Sequence, residues 1–142
     1  MKQPRFRGFS KETNSWHYGH GWFEVDYTEE YKQEKGITDK ALLYCDNSSP
    51  IECELASMGQ FTGESINNKG IYHGDIIKVS KLSFESSAPL PENLNVEYYS
   101  GMYQLFRGKE PLMGLHLHYL EEGEIVGTMF ENPELITTYS KI

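Results

Sequence analysis

Among the side chains of this 142-residue chain with the chemistry to ligate a soft metal are Cys45, Cys53, His17, His20, His116 and His118. A structural zinc needs four such donors at tetrahedral geometry, and no pair here has the CxxC spacing that delivers them. His116 and His118 are two apart, which on a strand puts both on one face, whereas His17 and His20 are three apart and face opposite sides. The expectation is therefore polar, outward positions, with no metal and no cofactor.

The run GQFTGESINNKGIYHGDIIKVS, residues 59–80, raises a different chemistry, because glycine-rich loops cradle phosphates. Such a cradle needs the pattern GxxxxGK[ST] or GxGxxG leading into a helix whose N-terminal amides meet the anion. Neither pattern is present, and the glycines lead into the β-branched segment DIIKVS, a strand rather than a helix. Asn67-Asn68-Lys69-Gly70 reads instead as a hairpin turn and Gly74-Asp75 as a second turn, since Asn and Gly tolerate positive φ at little cost. Nucleophilic catalysis leaves no mark either. There is no GxSxG elbow, and the carboxylates are scattered or gathered at evident turns such as Glu121-Glu122. These absences point away from an enzyme.

Arg5, Arg7, Trp16, Tyr18 and Trp22 form the best candidate interaction surface, because Arg and aromatic side chains dominate interface hot spots and stack on bases. Core packing is the competing expectation and the stronger one, since in a small β domain several of these rings must fill the interior.

The elements that would position these residues are strands. The chain is 38% hydrophobic and 13% aromatic, a globular composition rich in strand formers, and no i, i+3, i+4, i+7 pattern persists for three turns. A single domain over residues 1–142 is expected. Net charge is −8, with the first 20 residues at +3 and the remainder at −11. An acidic body repels the phosphate backbone, so non-specific nucleic-acid binding is not expected of the whole domain, although the basic, aromatic N-terminal stretch keeps a local version open. No apolar run is long enough to span a membrane and no signal-peptide pattern opens the chain, which together predict a cytoplasmic protein with both cysteines as free thiols.

Residues 4–9 read as a first strand and 16–27 as a longer one, with Trp16, Tyr18, His20 and Trp22 on one face and Gly19 and Gly21 marking a bulge or bend. Residues 28–40 are rich in helix formers but lack an apolar face, so a charged loop is favoured over a turn or two of helix. Strands come next at 41–46 and 51–58. After the glycine-rich run lies a strand from 75 continuing through Leu82 and Phe84, then a long loop at SSAPLPEN. The remaining segments are NVEYYS, MYQLFR, LMGLHLHYL and IVGTMF, of which the last three suggest a closing meander whose last turn is EEGE.

Three motifs in fixed order, Gly59-Gln60-Phe61-Thr62-Gly63, Ile71-Tyr72-x-Gly74-Asp75-Ile76-Ile77 and Phe130-Glu131-Asn132-Pro133-Glu134-Leu135, resemble the YopX-type family of phage and prophage proteins. The opening Arg5-Phe6-Arg7-Gly8 with Trp16 and Tyr18-Gly19 is similar as well, while residues 20–50 match no part of the pattern. The resemblance implies a mainly β fold built around an SH3-like barrel with additional strands, a phage or prophage origin, and no assigned chemistry. The expected role is a non-enzymatic protein-interaction module inside a bacterial host, with a host or phage protein or a second copy as partner. The alternatives are an acidic DNA mimic that inhibits a host enzyme, or a barrel that meets nucleic acid through its basic N-terminal stretch.

Overall fold

The structure, a computed structural model, describes residues 4–46, 48–82, 90–115 and 120–136. The protein is mainly β, with one α-helix among the described residues. It divides into two compact units, Met1–Phe61 and Thr62–Ile142.

In the first unit, β1 (Phe6–Ser10) and β2 (Ser15–Gly19) form an antiparallel hairpin in the register Phe6↔Gly19 to Ser10↔Ser15. The first residues of β6 (Gly59–Ile66) add to the free edge of β1, pairing Phe6 with Gln60 and Arg7 with Gly59. A second sheet has the order β3 (Gly21–Glu24), β4 (Lys40–Tyr44), β5 (Ile51–Glu54), all antiparallel. Ala41, Leu43 and Cys53 are fully buried on its inner face. There β1 comes so close that a Cβ on Gly8 would lie 2.5 Å from Met58 Sδ and 2.9 Å from Cys53 Cβ, a position only glycine can occupy. Lys40 and Glu54, partners in register, form a buried ion pair, and Glu54 also accepts from Thr38 and lies 3.4 Å from Lys11. Burial alone would raise the Glu54 carboxyl, but the hydrogen bonds and charge of Lys40, with Thr38 and Lys11, hold it below its ordinary value.

Three expectations for this unit are corrected. The charged loop at 28–40 contains a helix, α1 (Glu29–Lys35). Its caps outweigh the missing apolar face: Thr28 Oγ1 accepts from Tyr31 N at 3.1 Å, Glu29 and Glu30 sit in the first turn, and Gly36 closes it at φ +66°. The single strand at 16–27 is two strands in different sheets, broken at His20. Trp22 is therefore not on one strand face with Trp16 and Tyr18. The strand at 51–58 stops at Glu54 and continues as a 3-10 turn, Leu55–Ser57.

In the second unit, Asn67 and Asn68 turn β6 into β7 (Lys69–Tyr72), both at positive φ (+53° and +65°) as the hairpin reading requires. Beyond it lies a five-stranded antiparallel sheet in the order β11 (Glu110–Gly114), β10 (Met102–Arg107), β9 (Glu92–Tyr99), β8 (Asp75–Leu82), β12 (Leu120–Thr128). Its core is aliphatic: Ile71, Ile77, Val79, Leu94, Val96, Leu105 and Leu115 pack together. The closing meander is corrected here. β12 crosses to the far edge and pairs with β8, and EEGE lies within it rather than at a turn, because Glu122 and Glu124 stand opposite Lys81 and Lys78. Glu92 and Asn93 belong to β9, not to the preceding loop. Phe84, His116, His118 and residues 86–89, the first half of SSAPLPEN, fall outside the described residues.

Candidate interaction surface

Strand alternation puts Arg7 and Phe9 on one side of β1, and the register sets them opposite Tyr18 and Trp16. The rings of Phe9 and Trp16 meet edge to face, 5.5 Å between centroids. Arg7, the diagonal neighbour, lays its guanidinium 4.7 Å over the Trp16 ring. This stack immobilises Arg7, which is only 6% exposed, and leaves Tyr18 at its end 46% exposed. Arg5, just before β1, is exposed, with its guanidinium 6.0 Å from the Phe6 ring. Trp22, on the edge strand β3 and opposite Leu43, is 37% exposed. The structure thus joins Arg7, Trp16 and Tyr18 in one ladder, with Arg5 beside β1 and Trp22 in the other sheet.

Further aromatics were missed by reading the sequence. Phe23 and Tyr44, 47% and 45% exposed, share the outward face of the β3-β4-β5 sheet with their rings 5.7 Å apart. Tyr27 stacks on Tyr31 at 5.0 Å and donates its hydroxyl to Glu52 Oε2 at 3.1 Å. Accepting that hydrogen bond, the Glu52 carboxylate holds the Tyr27 phenol above its ordinary range. On the helix, Asp39 and Glu29 both accept from Lys32 and raise its ammonium pKa. In the second unit Tyr98, Tyr99 and Met102 are exposed around the β9–β10 turn. Period-two alternation was the signal available for Phe23, Tyr44, Tyr98 and Tyr99, since successive aromatics in short strands cannot all face inward.

The soft-ligand candidates have other surroundings. His17 Nε2 lies 2.7 Å from Thr13 Oγ1 and His20 Nε2 3.2 Å from Asp46 Oδ2. Cys45 and Cys53 are free thiols, and burial pushes the Cys53 thiol up to about 11. Among the described residues no three of His, Cys, Asp and Glu gather as a metal site would need. No helix among them is long and apolar enough to cross a membrane.

Of the three motifs singled out in the sequence, the one at residues 59–63 lies in β6 and the other two form turns. Asp75 Oδ2 accepts from Tyr72 N at 2.8 Å across the turn at Gly74, whose carbonyl accepts from Met129 N at 2.7 Å. Asn132 Oδ1 accepts from Thr128 N, and Thr128 Oγ1 from Glu131 N, folding Phe-Glu-Asn-Pro-Glu-Leu back on the end of β12. A Cβ on Gly127 would lie 2.5 Å from that Asn132 oxygen.

A mainly β chain in which two of the three distinguishing motifs build turns is of the kind the sequence resemblance describes. The model of the YopX protein family matches residues 5–137, and the chain belongs to that family. No curated protein matches it. Among solved structures it is similar to the crystal structure of protein EF1440 from Enterococcus faecalis, with a TM-score of 0.51 and 14% identity over 96% of this chain and 99% of that one. At that identity the likeness is one of fold.

Proposed function

We propose that this protein is a non-enzymatic interaction module of phage or prophage origin, acting in the bacterial cytoplasm on a host or phage protein, with self-association as a variant of the same role. Its β framework is taken to be an SH3-like barrel elaborated by extra strands. The observation that carries the reading is the face of the β1–β2 hairpin, where the Arg7–Trp16–Phe9 stack holds Tyr18 in solvent beside the exposed Arg5. Tyr and Arg are the side chains that most often dominate binding energy, and a rigid stack reduces the ordering cost of using them.

The test is affinity capture from bacterial lysate with the wild-type chain and with Arg5→Glu/Tyr18→Ser, together with sedimentation of each. Both substituted positions are exposed, so the variant is expected to melt within a few degrees of wild type. A partner or a self-associated species lost in the variant supports the reading. A monomer that captures nothing overturns it, as does turnover of a substrate abolished by one Cys, His or carboxylate substitution.

A further inference from the structure

The outward face of the β3-β4-β5 sheet combines two features that recognise the same chemistry. Phe23, Leu42 and Glu52 lie opposite one another in one row across the three strands, so that aromatic and carboxylate stand about 10 Å apart with Leu42 as the floor between them. Tyr44 extends the aromatic end through its contact with Phe23, and Tyr27, stacked on Tyr31, closes the other end on Glu52. Around this face the charge is one-sided: residues 20–55 hold nine carboxylates against Lys32, Lys35 and Lys40. Two of those lysines are already engaged, Lys40 with buried Glu54 and Lys32 with Glu29 and Asp39. The third, Lys35, holds its ammonium 6.0 Å over the ring of Tyr31, so the chain itself already sets a cation on this aromatic group.

We propose that this face binds an arginine- or lysine-bearing peptide segment of a partner protein, its cationic heads over Phe23 and Tyr44 and against Glu52. Ring faces carry the negative side of the aromatic quadrupole, and a carboxylate beside them supplies the hydrogen-bond acceptor and counter-charge a guanidinium needs. The inference shares the interaction-module reading but uses a different face, so the two fail separately: Tyr18→Ser is expected to leave it unchanged.

The experiment is fluorescence anisotropy of a labelled peptide of alternating Gly and Arg, titrated with the protein at physiological salt, with a Gly/Glu peptide as control. Phe23→Ala/Tyr44→Ala leaves the charge unaltered and is expected to weaken binding about tenfold, with Glu52→Gln giving a loss of similar size and Phe23→Tyr little change. Equal binding by the double variant would reduce the effect to the general attraction of an acidic chain and overturn the proposal. So would the absence of binding to the Arg peptide, or sedimentation showing that the same substitutions dissolve a dimer, which would make a second copy the occupant. Circular dichroism melts of each variant separate these outcomes from unfolding.

Discussion

In Thr62–Ile142 the groups shielded from water are largely aliphatic, with Ile71, Ile77, Val79, Leu94, Val96, Leu105 and Leu115 in one cluster, whereas in Met1–Phe61 the buried apolar residues are Ala41, Leu43 and Cys53, accompanied by Arg7, Ser10, Lys40, Glu54 and Ser57. The contrast arises from how closely strands approach. Where β1 meets β5, a methyl group on Gly8 would collide with Met58 and Cys53, so that seam has no space for a large ring. Tyr18, Trp22, Phe23, Tyr31 and Tyr44 are all at least a third exposed. Both units thus display rings, Tyr98 and Tyr99 in the second among them, but only the second also holds a large aliphatic cluster inside, and the displayed side chains are those suited to recognition.

The largest effect expected from testing this contrast is in the aliphatic core. Ile77→Ala or Leu105→Ala removes a fully buried branched side chain and should cost about 2–5 kcal/mol in urea denaturation. A loss below about 1 kcal/mol would show that the second unit is not held by that cluster.

Next comes the polar interior of the first unit. Glu54→Gln leaves the Lys40 ammonium buried without its counter-charge and should cost about 3 kcal/mol, while Lys40→Met/Glu54→Leu should recover most of that loss. The pH dependence has a definite sign. Because the folded carboxyl lies below its ordinary value of 4.5, its stabilising contribution is fully present above that value and is lost as pH falls through the folded one. Wild type should therefore lose stability more steeply on acidification below about pH 4.5 than the Met/Leu double variant. Superimposable acid titrations of the two would break the comparison.

Smaller still is the effect at the turn that closes β12. Gly127→Ala forces a methyl group onto Asn132 Oδ1 and should cost about 1–3 kcal/mol, more than Asn132→Ala, which loses the hydrogen bond from Thr128 N at about 1 kcal/mol. The reverse order, read from denaturation midpoints, would mean the turn has room to relax. This turn was not read from the sequence, where Phe-Glu-Asn-Pro-Glu-Leu stood only as a family motif, but two others were. Gly74-Asp75 and Asn67-Asn68 specify local backbone conformations through residues that adopt positive φ or accept nearby amide protons, and such devices are written in consecutive residues. The mainly β character was equally plain from the absence of helical periodicity. Helix α1 is hard to read from the sequence because Thr28 and Gly36 act through capping geometry while the helix buries no side chain. The pairing of β12 with β8 sets Glu122 opposite Lys81 and Glu124 opposite Lys78, partners more than 40 residues apart that no local pattern announces. Of the candidate surface, the sequence identified the residue types at Arg5, Arg7, Trp16, Tyr18 and Trp22. It did not reveal which would be buried, since Arg7 rather than Tyr18 is the shielded one.

The smallest effect is expected where the contrast matters most for function. Phe23→Ser and Tyr44→Ser each remove a ring that is nearly half exposed and that packs on the ring of the other. Such an aromatic contact contributes about 0.5–1.5 kcal/mol beyond area burial in well-packed settings, and less here because solvent reaches both rings. Each substitution should thus shift stability by about 0.5 kcal/mol, and the double variant should lose less than the sum because the singles remove the same contact. The measurement is the urea midpoint at unchanged slope, so that compactness of the unfolded state does not enter. A loss above about 2 kcal/mol for either single variant would show that these rings hold the first unit together. They would then be core that happens to be visible, and the division between a unit held by an aliphatic cluster and one whose rings lie at its surface would fail at the residues on which it rests.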